Sequence, residues 1–243
     1  MKIIKLDAID STNSFLKDLA RGIDLENFTT VVAKEQTSGR GQRGKYWQSK
    51  EGKNLLFSTI VYHQNLIIRY QTFLNYTVSL VIFDVLKELK IPKLAIKWPN
   101  DIMADNKKIC GILIENSIKK DKIYSSVIGI GLNVNQQKFN SDVPNASSLK
   151  NILNQEMDLN FILEKIILKL KFYISLLHQQ KYMLLKEKYL AVLYKKNILS
   201  VFKNNQNTYF RGMIKGVSFE GKLQIQLEDN SMKEFAIKEV AFS

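Results

Sequence analysis

A glycine-rich, cationic stretch from Lys34 to Trp47 (KEQTSGRGQRGKYW) lies between two strand-like segments, and that placement restricts the fold more than any other feature. Gly39, Gly41 and Gly44 free the backbone for left-handed conformations and let its N–H groups approach an anion closely. Arg40, Arg43 and Lys45 add cations, while Gln36, Thr37 and Ser38 add neutral hydrogen-bonding groups. The loop therefore reads as a cradle for phosphate or carboxylate oxygens. Gly39-x-Gly41-x-x-Gly44 is formally the dinucleotide fingerprint, and Gly39-x4-Gly44-Lys45 is nearly a P-loop. Both need a helix to begin at the loop, so that its N-terminus meets the phosphates. Here KYWQSKEGKNLLFSTIVY runs into a strand instead, and Tyr46 stands where a P-loop needs Ser or Thr for Mg²⁺. A kinase glycine loop does lie between strands, but no HRD or DFG sequence follows. The plain alternative is a flexible basic surface loop.

Around this loop the chain alternates in type. Ile3 to Leu6 reads as a strand, and Asp10-Ser11-Thr12-Asn13 supplies N-cap side chains for a helix of about Asn13 to Arg21, with Gly22 as the stop. For Ser11 alone, a cap is the simpler reading. Strands are expected over Phe28 to Lys34 and Asn54 to Tyr62, and a helix over Arg69 to Lys90, ended by Pro92. Leu94 to Trp98 reads as a strand broken by Pro99, with a turn at Asn100-Asp101; Ile102-Met103 and Ile109 to Glu115 pair through a turn at Asp105-Asn106. Ile123 to Ile130 is a buried strand entering Gly129-Ile-Gly131-Leu-Asn133-Val-Asn135, where the glycines suggest close backbone approach to a ligand. A Ser/Asn/Pro-rich loop spans about Gln136 to Ser148, and helices cover roughly Leu159 to Leu177 and Lys181 to Leu193. From residue 195 short strands alternate with turn signals at Asn204-Asn205, Glu220-Gly221 and Asp229-Asn230. Two domains are therefore expected, 1–194 and a small all-β barrel at 195–243, an appended module.

Composition narrows the function. No apolar run approaches the ~18 residues of a membrane span. The opening MKIIKLDAIDSTN has no adequate apolar core for a signal peptide, and the one cysteine, Cys110, fits a reducing cytoplasm. The net charge of +13 comes from lysines spread over the whole chain, so it reads as a solvated surface with an anionic partner. His63 and His178 are the only histidines, which argues against a zinc site or a Ser-His triad; both are expected to be ordinary surface residues. The chemistry then rests on positioning and fixed positive charge.

Five blocks, taken in order, resemble biotin protein ligases: STN at Ser11 to Asn13, GRGQRGKYW at Gly39 to Trp47, KWPND at Lys97 to Asp101, KKICGILIE at Lys107 to Glu115, and GIGLNVN at Gly129 to Asn135. The resemblance implies an α+β fold, a mixed β-sheet flanked by helices as in class II aminoacyl-tRNA synthetases, plus a small C-terminal SH3-like β-barrel. It implies that Ser11, Thr12, Asn13, Gln36, Gly39, Gly41, Gln42 and Gly111 line a biotin site. Arg40 would hold the biotin carboxylate and then the acyl phosphate, and Lys97 would contact the reacting carboxylate and phosphate oxygens. Arg43, Trp47, Asn100 and Asn133 would belong to the nucleotide side, with Mg²⁺ bridging the phosphates of ATP through ligands the sequence does not identify. The implied partner is a biotin carboxyl carrier protein of acetyl-CoA carboxylase, and the family pairs edge strands with the carrier or with itself as a homodimer. Some members carry a helix-turn-helix domain before STN; ten residues precede Ser11 here, so ligase activity without DNA binding is expected.

The residue types suit that chemistry. A carboxylate attacking the α-phosphate needs no protein base, whereas charge growing on the phosphoryl oxygens calls for fixed cations and metal. Arg40 offers a planar fork and Lys97 a point charge that follows the migrating oxygen. Asp101 is a candidate proton acceptor when a carrier lysine attacks the mixed anhydride. Two features depart from the family. Gln42 replaces a second Arg of many relatives, which predicts a looser hold on the adenylate. The Ala241-Phe242-Ser243 ending also leaves no arginine to reach the nucleotide from the C-terminal edge. The rival readings are a lipoate-type ligase, against which KWPND and GRG-x-x-G speak, and a basic nucleic-acid-binding protein. For the latter, Tyr209, Phe210 and Phe219 would have to face outward; as expected core residues they speak against it.

Overall fold

The computed structural model describes residues 2–243, the side chain of Arg43 excepted. A seven-stranded sheet is formed by β1 (Ile3–Ile9), β2 (Thr30–Gln36), β3 (Leu55–Ile67), β4 (Leu94–Lys97), β5 (Asp101–Ala104), β6 (Lys107–Lys119) and β7 (Lys122–Leu132), in the order β1-β2-β3-β7-β6-β5-β4. β1 and β2 are parallel and all other neighbours antiparallel, so the sheet is mixed. Asp105 and Asn106 both take positive φ, the geometry of a two-residue hairpin turn. The helices are α1 (Thr12–Gly22), α2 (Gln71–Glu88), α3 (Leu149–Leu153), α4 (Leu159–His178) and α5 (Tyr182–Ala191).

Strand alternation sorts the two faces of the sheet. Phe57 and Val61 of β3, Ile112 of β6 and Ile128 and Ile130 of β7 point to one face, where they share the main core with α2, α4 and α5. Ile60 and Val127 point to the other, meeting Leu16 of α1, Leu25 and Val31 in a much smaller cluster. α1 therefore covers only part of that face. The remainder carries small residues: Ser58 opposite Gly129, and Gly111 opposite Gly131. This gap in the packing is where the cleft forms.

A second, antiparallel sheet follows from β8 (Leu199–Asn204), β9 (Tyr209–Val217), β10 (Leu223–Leu227), β11 (Met232–Phe235) and β12 (Val240–Phe242), in the order β11-β10-β9-β8-β12. It agrees with the SH3-like module expected, although the ladders leave it open between β11 and β12. It is less of an appendage than the sequence suggests. Phe202, Ile214, Val217, Leu223 and Ile225 are buried in the same core cluster as α2 and α4. Stacked pairs Tyr70–Tyr182 and Tyr76–Tyr189, with Phe219 edge-on to Tyr70 and Phe73, bind the two sheets' helices and turns together.

Several expectations are corrected. α3 is too short to leave a helical period, and β3 runs five residues past Tyr62. Asp10 to Asn13 do not simply cap α1: Ser11 is in the N-cap position without a side-chain cap bond, and the Thr12 N–H is taken by Gln36 Oε1 at 2.8 Å. Of the three aromatic residues expected in a barrel core, only Phe210 stacks inward, against Phe202 and Phe235; Tyr209 is 59% and Phe219 41% exposed. His63 is no surface residue. It is 5% exposed, its Nδ1 3.0 Å from His178 Nε2 and its Nε2 2.9 Å from Ser126 Oγ, because β3 continues beneath the last turn of α4. Burial holds both imidazoles below the usual histidine pKa, His63 at about 3 with the neighbouring His178 pushing it the same way.

Candidate functional site

The open face of the large sheet floors a cleft of about 1000 Å³. Its walls are the start of α1, the glycine loop, the β4–β5 hairpin, residues 139–146, and the C-terminal edge around Val240–Phe242. Ser11, Thr12, Asn13, Gln36, Arg40, Gly41, Gln42, Trp47, Lys97, Asn100, Gly111 and Asn133 all line it, although they come from well-separated parts of the chain. One expected residue does not. Gly39 acts through the loop itself: Trp47 N–H donates to its carbonyl at 2.8 Å, and a Cβ there would meet the Trp47 carbonyl oxygen. The expected nucleotide contact of Arg43 lies outside the described residues.

No helix starts at the glycine loop. A short 3₁₀ turn, Gln42–Gly44, is clamped by a bridge between Arg40 and Tyr46 and by the Gly41 N–H to the Lys45 carbonyl at 2.6 Å. The loop thus folds over as a flap, and its Trp47 ring lies flat on the sheet. That contact explains two glycines. A Cβ on Gly131 would be 2.5 Å from Trp47 Cε2, and one on Gly111 2.8 Å from Cζ3, both far inside van der Waals distance. A third, Gly129, leaves room for the Asn13 amide.

The cleft has two chemically different ends. At one, Thr12 Oγ1 lies 3.0 Å from Gln36 Oε1 and 2.7 Å from Ser58 Oγ, which is itself 2.5 Å from Asn13 Oδ1. At the other, Asn133 Nδ2 donates to the Ser147 carbonyl while its buried Oδ1 has no partner among the described residues, and neither has Trp47 Nε1. Buried polar atoms left unpaired are uncommon, and those in a cleft wall ask for a ligand that donates to the one and accepts from the other.

The same cleft carries cations. Lys97 is half-buried; burial pulls its pKa below the usual lysine value, and Lys108, Lys195 and Lys45 add to that against the opposing charge of Asp101. Its Nζ sits 5.2 Å from the Phe242 ring centre, so the C-terminal edge does reach the cleft, supplying an aromatic face rather than an arginine. Asp101, the candidate proton acceptor, is ion-paired with Lys108 at 2.7 Å. Arg40 is held at 3.2 Å by Glu115 and at 3.2 Å by Ser14 Oγ.

Sequence reasoning missed three contributors. Glu115 is one, and its only trace was a single carboxylate ending an apolar strand on the Gly111 face. The loop at 139–146 is another, visible only as a polar connection. The third is the C-terminal edge, including Lys203 and Lys238.

Residues 6–133, just over half of the chain, match the Biotin/lipoate A/B protein ligase family. The chain is 33% identical over 171 residues to the bifunctional ligase/repressor BirA of Bacillus subtilis, an alignment covering 68% of this chain and 51% of that one. It is 34% identical over 179 residues to the BirA of Salmonella typhimurium, covering 72% and 54%. It thus spans about half the length of these relatives. The biotin protein ligase from Aquifex aeolicus, solved in complex with biotin and ATP, superposes with a TM-score of 0.81 at 26% identity, over 100% of this chain and 99% of that one. The matched residues carry the flap, the cation-bearing hairpin and the glycine floor, so sequence and geometry agree that the chain belongs to the biotin/lipoate A/B protein ligase family.

Proposed function

We propose that this protein condenses biotin with ATP to biotinyl-5′-AMP and diphosphate, then passes the biotin to a lysine of a carboxyl carrier protein, a subunit of acetyl-CoA carboxylase. The observation that carries this reading is that Arg40 and Lys97, borne by separate segments, line one cleft whose ends differ as the two substrates differ. The polar end of Ser11, Thr12, Asn13 and Gln36 suits the biotin ring. Arg40 exchanges the Glu115 carboxylate for that of biotin, and Gly41 and Gln42 close over the ligand. The orphaned Asn133 Oδ1 suits the amino group of adenine, with Trp47 and Asn100 beside it.

In the first step a biotin carboxylate oxygen bonds to the α-phosphorus as the bond to diphosphate breaks, and Lys97 and Arg40 stabilise the negative charge that gathers on the phosphoryl oxygens. In the second, a neutral carrier amine bonds to the biotinyl carbonyl carbon as the bond from that carbon to the phosphate oxygen breaks, and the amine's proton passes to the departing AMP phosphate. Nucleotide-bound Mg²⁺ takes one or two carboxylates beside the phosphates. Asp101 and Asp142 are oxygen donors of that kind in the cleft wall and would hold it. Bound there, Mg²⁺ would neutralise part of the phosphates' charge. Cytoplasmic residence is part of the proposal, supported by the reduced, buried Cys110. Homodimer formation or carrier docking is assigned to the open edge of β1, since β4 is covered by hydrogen bonds between Ile96 and residues Val192 and Tyr194.

Saturating biotin with Mg-ATP should stabilise the protein by about 3–4 kcal/mol in thermal unfolding, and lipoic acid with Mg-ATP should not. A response to lipoic acid alone would instead assign a lipoate-type ligase, and a response to neither acid would overturn both. Gly131→Ala should weaken Mg-ATP binding roughly 10- to 100-fold, the range for overpacking a filled site, because Trp47 must leave the floor. Fluorescence titration checks this; unchanged affinity would take Trp47 out of the nucleotide site.

A further inference from the structure

Lys97 ends β4 directly opposite Asp101 at the start of β5, yet that carboxylate is taken: Asp101 pairs with Lys108 at 2.7 Å. Among the described residues no hydrogen bond or ion pair reaches the Lys97 ammonium. What lies against it is the ring of Phe242, whose centre is 5.2 Å from Nζ. Lys195 Nζ is 5.4 Å from the same ring centre.

The ring is itself held in place. Phe242 of β12 is in register with Phe202 of β8, and the two ring centres lie 5.0 Å apart. Phe202 is buried, so it gives Phe242 a fixed backing. Tyr194 meets the Phe242 ring edge-on at 5.5 Å. The Tyr194 N–H in turn donates at 2.9 Å to the carbonyl of Ile96, the residue before Lys97. The second sheet, the segment leading into it and β4 therefore meet at one aromatic side chain.

An aromatic face attracts a cation through its quadrupole and does so without a conventional acceptor atom. A carboxylate in the same place would neutralise the ammonium and occupy its N–H donors. The ring instead confines a long side chain that has much rotamer freedom to lose, while leaving charge and donors open to an arriving oxygen. A donor aimed before the reaction starts needs no reorganisation when charge develops.

We infer that Phe242 is a positioning residue for Lys97, its ring holding the ammonium in the cleft with the N–H donors free. The inference rests on the reading of Lys97 as a cation that stabilises phosphoryl oxygens, and adds to it the group that aims this cation.

Replacing Phe242 in the full chain by mono-, di- and trifluorinated phenylalanine tests it with little change of shape, because fluorine withdraws charge from the ring face stepwise. Diphosphate release at saturating biotin and Mg-ATP should fall at each step, reaching roughly 3- to 30-fold for the trifluorinated ring, the range for a cation–π contact partly withdrawn from water. Biotin affinity, measured by calorimetry without nucleotide, should not move. In the Lys97→Ala protein the same series should be flat, since the cation that senses the ring is gone. In Lys195→Met the trend should persist, which separates the two ammonium groups. Thermal midpoints verify folding throughout. Equal turnover across the series in the otherwise wild-type chain, an equal decline in Lys97→Ala, or loss of the trend in Lys195→Met would each overturn the inference. Normal turnover in Lys97→Ala with Phe242 intact would instead overturn the reading of Lys97 beneath it.

Discussion

Lys97→Ala is expected to lower diphosphate release from ATP and biotin by about 10²-fold or more, the scale for removing one aimed stabilising donor from a phosphoryl-transfer site. Three features set that size. Lys97 is half-buried at the end of β4, where the low local dielectric strengthens its interaction with a developing charge. Burial and the neighbouring cations Lys108, Lys195 and Lys45 already disfavour its charged form, so an arriving anion gains more from it than from an exposed lysine. Those same cations keep the cleft positive after the substitution, which is why biotin affinity should change much less than turnover. A pulse of radiolabelled ATP in the presence of biotin reads the chemical step, and calorimetry reads the affinity. Near-normal turnover would remove Lys97 from the mechanism.

The second large effect concerns acid. His63 titrates near pH 3 in the folded chain, against about 6.5 when unfolded. Above pH ~6.5 neither state binds the proton, so the imidazole has no effect on the pH dependence. As pH falls below 6.5 the unfolded chain takes up a proton that the folded one refuses, and stability is lost progressively until the pH reaches the folded value. By pH 4.5 the loss amounts to roughly 3 kcal/mol at most, since each tenfold difference in proton affinity between the two states corresponds to ~1.4 kcal/mol. His178, also held down by burial, acts in the same direction. Urea unfolding at pH 7.5 and pH 4.5 measures it. Carboxylates contribute as well, so the comparison is with His63→Gln, which should be less stable at pH 7.5 yet lose less on acidification. An equal loss in both proteins would assign the acid sensitivity elsewhere.

Most of the cleft could be read from local patterns. Glycines spaced through a cationic loop, STN before a helix and KWPND after a strand each announce unusual backbone or side-chain demands within a few residues. What escaped depends on register. Glu115 matters because β6 and β7 pair Leu113 with Gly129, which brings a carboxylate beside an amide that is 102 residues away in sequence. His63 looked like a residue past the end of a strand; only the pairing of Leu66 with Ile123 shows that β3 carries on beneath α4. Gly129 and Gly131 were legible as close approaches, but not that the approaching groups would be Asn13 and Trp47 rather than a ligand, nor that Trp47 would also need Gly111. The exposure of Tyr209 went unread because alternation in a five-stranded sheet does not reveal which face the rest of the molecule covers.

The hairpin that carries Lys97 is fastened on both sides. The Trp98 indole N–H donates to the Gly221 carbonyl at 3.0 Å, and Asn75 Nδ2 donates to the Pro99 carbonyl at 2.6 Å. A tether or reporter spliced into the bend between β9 and β10 would therefore tug on the ammonium through the indole. The Asp229–Asn230 bend, which does not border the cleft, is the place to attach a handle for anchoring this protein to a surface.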